Sequence, residues 1–132
     1  MPTKITIVLA LAICFVNAHA ADPDAKSYLE SALVGASVAS RDVRRVSASC
    51  EYLVFNGGSD SVAIPTKKVN VRPSETFGSL SFECINGGGC ISSGGSNNTL
   101  YIGGLPSGVP TSLSKAFTTF QAQCGGPEKR PF

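Results

Sequence analysis

The chain has 132 residues, 42% of them hydrophobic, and a formal net charge of +2. This length allows one domain rather than two. A charge so close to zero excludes the basic surface that binds nucleic acid or an anionic membrane. From Val46 onward the charges nearly cancel, because six basic residues face five acidic ones and leave +1.

The first twenty residues predict a secretory signal peptide. Lys4 precedes a run from Ile5 to Val16 that is apolar except at Thr6, and Ala18-His19-Ala20 gives the small-x-small pattern of a cleavage site after Ala20. The twelve residues of the run are too few to span a bilayer, which needs about 20. We therefore expect residues 1–20 to be removed and the protein to be secreted to the extracellular space.

Four of the five cysteines remain after this cleavage, and they predict two disulfides. Secretion exposes a short chain to an oxidising environment, where an even number of cysteines pairs. A zinc site is disfavoured, since the chain has no C-x-x-C pair and its only histidine lies in the signal peptide. No metal or cofactor is expected. The four cysteines are Cys50, Cys84, Cys90 and Cys124.

Three pairings of these cysteines are open, and two are serious candidates. The turn sequence between Cys84 and Cys90 favours their pairing, which leaves Cys50–Cys124 to join the first strand to the end of a C-terminal helix. That bridge closes a loop of about 75 residues and would stabilise the domain by roughly 4 kcal/mol. The competing arrangement pairs Cys50–Cys84 and Cys90–Cys124.

Residues 21–45 differ in composition from the rest and have two interpretations. Ser27 and Glu30 fit a capping box, which predicts a short helix through Val34 that ends near Gly35. Arg44-Arg45 then forms a dibasic site of the kind that kexin-type proteases of the eukaryotic secretory route cleave. We favour a propeptide at 21–45 followed by a mature domain at 46–132. The alternative is that 21–45 forms the first helix of the mature domain.

The sequence pattern of residues 46–132 predicts short strands that lie between glycine clusters and are followed by one helix. The strand at 50–55 is closed by the turn dipeptide Asn56-Gly57. The segment around 80–84 also fits helical spacing, but we favour a strand. The remaining strands are expected at 61–64, 67–72 and 99–102.

The helix is expected over 111–123, where apolar residues recur at helical spacing. Pro110 precedes a Thr111 or Ser112 cap, and Gly125-Gly126 provides the stop. Gln121 falls on the predicted outer face. The predicted fold is therefore α+β: a small antiparallel β-sheet of four to five short strands, with the C-terminal helix packed on one face and two disulfides. The predicted apolar stripe comprises Leu113, Ala116, Phe117, Phe120 and Cys124.

Catalytic chemistry is disfavoured by what the processed chain lacks. Without a histidine, neither a serine or cysteine nucleophile system nor a histidine acid or base can be assembled. A glycosidase needs two carboxylates across a cleft. Glu51 and Glu83 could face one another on neighbouring strands, although both fit better as solvent-facing residues. We expect no catalytic site.

Two further features bear on the surface. Lys67, Lys68 and Arg72 form a small basic cluster, which we interpret as the guard of an edge strand rather than as a docking site. Asn97-Asn98-Thr99 is a glycosylation sequon with Asn97 as the acceptor.

A signal peptide, a spacer ending in Val43-Arg44-Arg45 and a compact domain with paired cysteines resemble the layout of fungal small secreted proteins. These include effectors with kexin-processed pro-segments and killer-toxin-type proteins. The resemblance implies a small α/β sandwich and carries no functional residue over.

From this layout and the missing catalytic groups we expect a secreted, non-enzymatic effector, monomeric, that binds a host or competitor protein or glycan. In such a protein the loops would provide recognition. The alternatives are a killer-type or antimicrobial toxin and a small carbohydrate-active enzyme.

Overall fold

A computed structural model describes residues 21–38, 41–57 and 60–127. The predicted signal peptide at 1–20, with its cleavage after Ala20, lies outside the described residues. Within these described residues there are two helices, α1 (Ala21–Ala32) and α2 (Val109–Gln123). The strands are β1 (Ser37–Val38), β2 (Arg41–Asp42), β3 (Arg45–Ala48), β4 (Tyr52–Gly57), β5 (Asp60–Pro65), β6 (Val69–Ser74), β7 (Ser79–Cys84), β8 (Ile91–Ser92), β9 (Ser96–Asn97) and β10 (Thr99–Gly103).

The strands form two antiparallel sheets of five strands each. The first has the order β2-β1-β10-β7-β6 and the second the order β3-β4-β5-β8-β9. The predicted α+β class, antiparallel pairing and C-terminal helix are confirmed. The turn after Pro65, closed by a hydrogen bond from Lys68 N–H to Pro65 C=O (3.1 Å), is one of the places where the chain passes from one sheet to the other. None of the described helices is both long and apolar enough to cross a bilayer.

The predicted turn at Asn56-Gly57 is wrong. Both residues belong to β4, where Asn56 pairs with Ser61 and Gly57 with Asp60. The hairpin therefore does not turn at this dipeptide. Gly57 is required for another reason, since a side chain there would meet the backbone carbonyl oxygen of Asp42 at 2.7 Å.

Helix α2 packs against the inner face of the first sheet along β6 and β7. Its residues Leu113, Phe117 and Phe120 are buried as predicted, and the ring of Phe117 meets that of Phe82 edge-on, with centroids 5.1 Å apart. Gln121, predicted to be exposed, is buried instead. Its Nε2 donates hydrogen bonds to the carbonyl oxygens of Thr66 (2.9 Å) and Val69 (2.8 Å). The side-chain amide thus satisfies two backbone acceptors in the connection between β5 and β6.

The two ends of α2 are held differently from each other. The C-terminus follows the prediction: Gly126 N–H donates to Gln121 C=O and Gly125 N–H to Ala122 C=O, with positive φ at both glycines. The N-terminal cap is Gly108 rather than Thr111 or Ser112. Glu75, from the turn after β6, supplies the acceptor instead, taking hydrogen bonds from the N–H groups of Gly108 (2.8 Å) and Thr111 (2.9 Å).

Residues 21–38 and 41–45 form part of the folded domain. Helix α1 packs against α2 and β3, and its Leu29 is fully buried. The predicted capping box is wrong, because Ser27 lies inside α1. Glu30 instead accepts a hydrogen bond from Ala48 N–H (2.9 Å), which ties α1 to β3. This packing joins 21–45 to the rest of the fold; whether the segment is a propeptide cleaved at Arg44-Arg45 or the first helix of the mature domain stays a prediction.

The two disulfides are Cys50–Cys124 and Cys84–Cys90. The favoured pairing is therefore confirmed, and the arrangement Cys50–Cys84 with Cys90–Cys124 is excluded. Cys50–Cys124 joins the turn between β3 and β4 to the end of α2, while Cys84–Cys90 closes the loop between β7 and β8.

We expect Leu33→Ala to lower the free energy of unfolding by about 2–5 kcal/mol, because its fully buried side chain would leave a cavity. The adjacent Val34 is 48% exposed and serves as the control. Val34→Ala should cost less than about 0.5 kcal/mol. Urea unfolding followed by circular dichroism measures both. If Leu33→Ala and Val34→Ala lower the free energy of unfolding equally, 21–45 is not part of the cooperative core.

Removing the Cys50–Cys124 bridge should destabilise the protein more than removing Cys84–Cys90. The residues are 74 apart in the first pair and 6 apart in the second. Loop entropy then gives about 4 kcal/mol for the first bridge and about 2 kcal/mol for the second. Double Cys→Ala variants compared by urea unfolding test the order, and a larger loss from the short loop would contradict it.

Glu75 should make the stability of the protein depend on pH. Hydrogen bonds from the Thr111 hydroxyl and from the backbone N–H groups of Gly108 and Thr111 lower its pKa below the ordinary 4.5. Its contribution is therefore complete above the unfolded-state pKa and is lost as pH falls through the folded-state pKa. Glu75→Gln should lower the melting temperature at pH 7, and the gap to wild type should narrow as the pH falls below about 4.5.

Glu83→Gln, on a solvent-facing strand position, is the control and should leave the melting temperature at pH 7 close to that of the wild type. A gap between wild type and Glu75→Gln that is the same at pH 7 and pH 3 would contradict the assignment of the cap to Glu75.

Candidate binding surface

The outer face of the first sheet is the candidate site. Alternation along the strands places Leu80 and Phe82 of β7 and Leu100 and Ile102 of β10 in the core, so the residues between them point outward. Two rows of side chains cross β10, β7 and β6 on this outer face. We call it the Tyr101 face; it comprises Tyr101, Ser81 and Arg72 in one row and Thr99, Glu83 and Asn70 in the other.

Tyr101 is the dominant feature of this face. It lies in β10, the central strand of the sheet, yet its side chain is 68% exposed. Its partner on the neighbouring strand β7 is Ser81, whose side chain is too small to cover the ring of Tyr101. Two residues further along β10 lies Gly103, where an added Cβ would meet nothing within 4 Å. One flank of the aromatic ring is therefore open along its own strand.

The charges on the Tyr101 face balance. Arg72 pairs with Ser81, and Glu83 pairs with Asn70, so the guanidinium and the carboxylate stand diagonally across β6 and β7. Diagonal neighbours are about 7–8 Å apart. The other members offer hydroxyl and amide groups. The face therefore combines one aromatic ring, hydrogen-bond donors and acceptors of both kinds, and no net charge.

The ends of β6 and β7 are fixed to the segment before α2. Gly78, in the turn between them, accepts a hydrogen bond from Leu105 N–H (3.0 Å). A side chain at Gly78 would meet the Leu105 carbonyl oxygen at 2.7 Å, so the close approach requires glycine. Together with Glu75 on Gly108 and Thr111, this contact holds the sheet against the helix. Phe77, in the same turn, is 82% exposed.

The predicted basic cluster is divided between two places. Arg72 lies on β6, which is an edge strand as expected, and so belongs to the Tyr101 face. Lys67 and Lys68 lie in the turn before β6, where they line a small depression of about 220 Å³ together with Glu51 and Tyr52.

Glu51 and Glu83 do not face one another. Glu51 lies in the turn between β3 and β4 of the second sheet, whereas the strand neighbours of Glu83 are Asn70 and Thr99 of the first. The prediction of neighbouring strands is wrong because the chain divides into two sheets between these residues. Neither glutamate has a second carboxylate among the residues that surround it in the depression or on the Tyr101 face.

A groove of about 570 Å³ lies where the β1–β2 and β4–β5 hairpins meet. Its apolar lining includes Val38, Phe55 and Val62, and at its rim Arg41 forms an ion pair with Asp60. This pairing neutralises two of the three charged groups that line the groove. Asp42, Ser61 and Ser93 supply the other polar side chains of the lining, and Phe55, its aromatic residue, is buried, so the groove has no exposed ring like that of Tyr101.

The predicted glycosylation site, Asn97, lies in β9 and is half-buried. Its side-chain nitrogen, which would carry the glycan, donates hydrogen bonds to the carbonyl oxygens of Ser93 (3.1 Å) and Gly95 (3.3 Å). A glycosylated nitrogen keeps only one hydrogen, so the loop would lose one of these bonds on modification. Glycosylation of Asn97 stays a prediction.

Across residues 21–38, 41–57 and 60–127, no three His, Cys, Asp or Glu side chains cluster in a way that could hold a metal ion. No protein-family model, curated protein or solved structure matches the chain. The geometry of the surface therefore carries the functional argument. Tyr101 was not singled out in the sequence, although the alternation of Leu100 and Ile102 around it is the signal that places it outside.

Proposed function

We propose that this protein is a secreted, non-enzymatic binding protein of the effector type, and that it recognises its partner through the Tyr101 face. The exposed ring of Tyr101, at the centre of a rigid sheet among small polar side chains, is the observation that carries the proposal. Tyrosine and arginine are the residues that most often dominate binding energy at recognition surfaces, and this face holds both.

Secretion is supported by the two disulfides, which form and persist in oxidising compartments. The signal-peptide pattern at 1–20 supports it as well. The spacer and dibasic site add the likeness to fungal effectors, which places the partner on a host or a competitor.

Binding should depend on Tyr101 and not on tyrosines in general. Fluorescently labelled protein would be incubated with intact plant suspension cells and with fungal hyphae, and the label retained after washing would be measured. We expect retention on at least one of them, and a fall of about tenfold or more for Tyr101→Ala, as for a residue that contributes more than about 1.4 kcal/mol to binding.

Tyr52→Ala is the matched control, because Tyr52 is 46% exposed and lies on the second sheet. It should bind like the wild type. Retention of the wild type on neither cell type, or equal retention of wild type and Tyr101→Ala, would overturn the proposal.

A further inference from the structure

We infer that the Tyr101 face binds an uncharged polysaccharide; this inference rests on the proposed function and names its ligand. It follows from the shape of the face, from its charge and from the kinds of groups it displays.

The size of the face favours a narrow ligand. Strands β6 and β7 have six residues each and β10 has five. At strand dimensions they span about 20 Å by about 14 Å, or about 280 Å². A stable protein–protein interface buries about 800 Å² on each partner. The face by itself supplies only part of the surface that such a partner needs, whereas its long axis suits an extended glycan chain.

The chemistry of the face matches a sugar. A pyranose ring presents C–H groups on its flat side, which pack against an aromatic ring, while hydroxyl groups at its edge donate and accept hydrogen bonds. Tyr101 provides the ring. Around it, Asn70 and Arg72 provide donors, Glu83 provides an acceptor, and the Ser81 and Thr99 hydroxyls can serve as either. Because the face is exposed, a polysaccharide bound to it can continue beyond the face in both directions.

The charge of the face selects among polysaccharides. Arg72 and Glu83 are the two charged residues among the six of the Tyr101 face, and their charges cancel. Neither a polyanion nor a polycation therefore gains binding energy from contact with this face. An uncharged glycan should therefore bind with little dependence on ionic strength, because salt screens only interactions between charges.

The test is depletion of the purified, disulfide-bonded protein from solution by particles of chitin, cellulose, β-1,3-glucan and mannan, with heparin-agarose as the charged comparison. We expect depletion by at least one uncharged particle, unchanged between 0.05 M and 1 M NaCl, and none by heparin-agarose. Tyr101→Ala should weaken binding about tenfold or more, Tyr101→Phe should retain it, and Tyr52→Ala should match the wild type.

Gly103→Val provides a second variant that acts on the open space rather than on the ring. A β-branched side chain is compatible with a strand, so this variant should fold with unchanged or higher melting temperature. It should nevertheless bind less well, because the new side chain occupies the space beside Tyr101. If Gly103→Val binds as well as the wild type, the ligand does not use this flank of Tyr101. This result would overturn the inference that the polysaccharide extends along β10.

The outcomes separate this inference from the proposed function. In one outcome, treating the plant cells and hyphae with proteinase K abolishes retention of the protein, and none of the four uncharged particles binds it. This outcome would identify a protein partner. This result would overturn the glycan inference, while Tyr101-dependent retention on cells would still support the proposed function. If Tyr101→Ala is retained on both cells and particles like the wild type, both proposals are wrong.

Discussion

The burial of one stripe of α2 is the constraint on which the rest of the structure depends. Leu113, Phe117 and Phe120 must leave water, and they do so against the inner face of the first sheet in a core shared with the second sheet and α1. Because the helix covers the inner side of β6 and β7, the outer side of these strands is left to solvent. The Cys50–Cys124 bridge fixes the end of α2 to the turn between β3 and β4. Gln121 fixes it to the segment that joins the two sheets, through hydrogen bonds to the carbonyl oxygens of Thr66 and Val69. One helix thus determines which face of the first sheet is available for recognition.

The same core explains why the N-terminal segment is more than a spacer. Leu29 and Leu33 are as inaccessible as the residues of α2, and β1 pairs with β10 in the sheet that carries Tyr101. Residues 21–45 contain no cysteine, so cleavage after Arg45 would leave them attached only by packing and hydrogen bonds. A protein processed at Arg44-Arg45 would then lose part of its core if the segment departed. The segment contributes to the stability of the fold whether or not the chain is cut there.

The proposed recognition surface lies on strands rather than on loops. The backbone of a central strand is held by hydrogen bonds to the strands on both sides, so little backbone order has to be gained on binding. Three glycines support the scaffold: Gly78 allows close contact with Leu105, and Gly125 and Gly126 end α2. In a small domain these roles of glycine are consistent with a rigid scaffold whose binding surface is already formed before the partner arrives.

The sequence alone determined the features that depend on local periodicity. The stripe and glycine stop of α2, the alternation in β7 and β10, the α+β class and the presence of two disulfides were all legible in it. The partners of polar side chains were decided only by the tertiary structure: Gln121 is buried, Glu75 caps a helix 33 residues away at Gly108, and Glu30 holds Ala48. The division into two sheets, which separates Glu51 from Glu83, was decided in the same way. Periodicity reports which side of an element is apolar, but the meeting of two polar groups distant in sequence depends on how every intervening element packs.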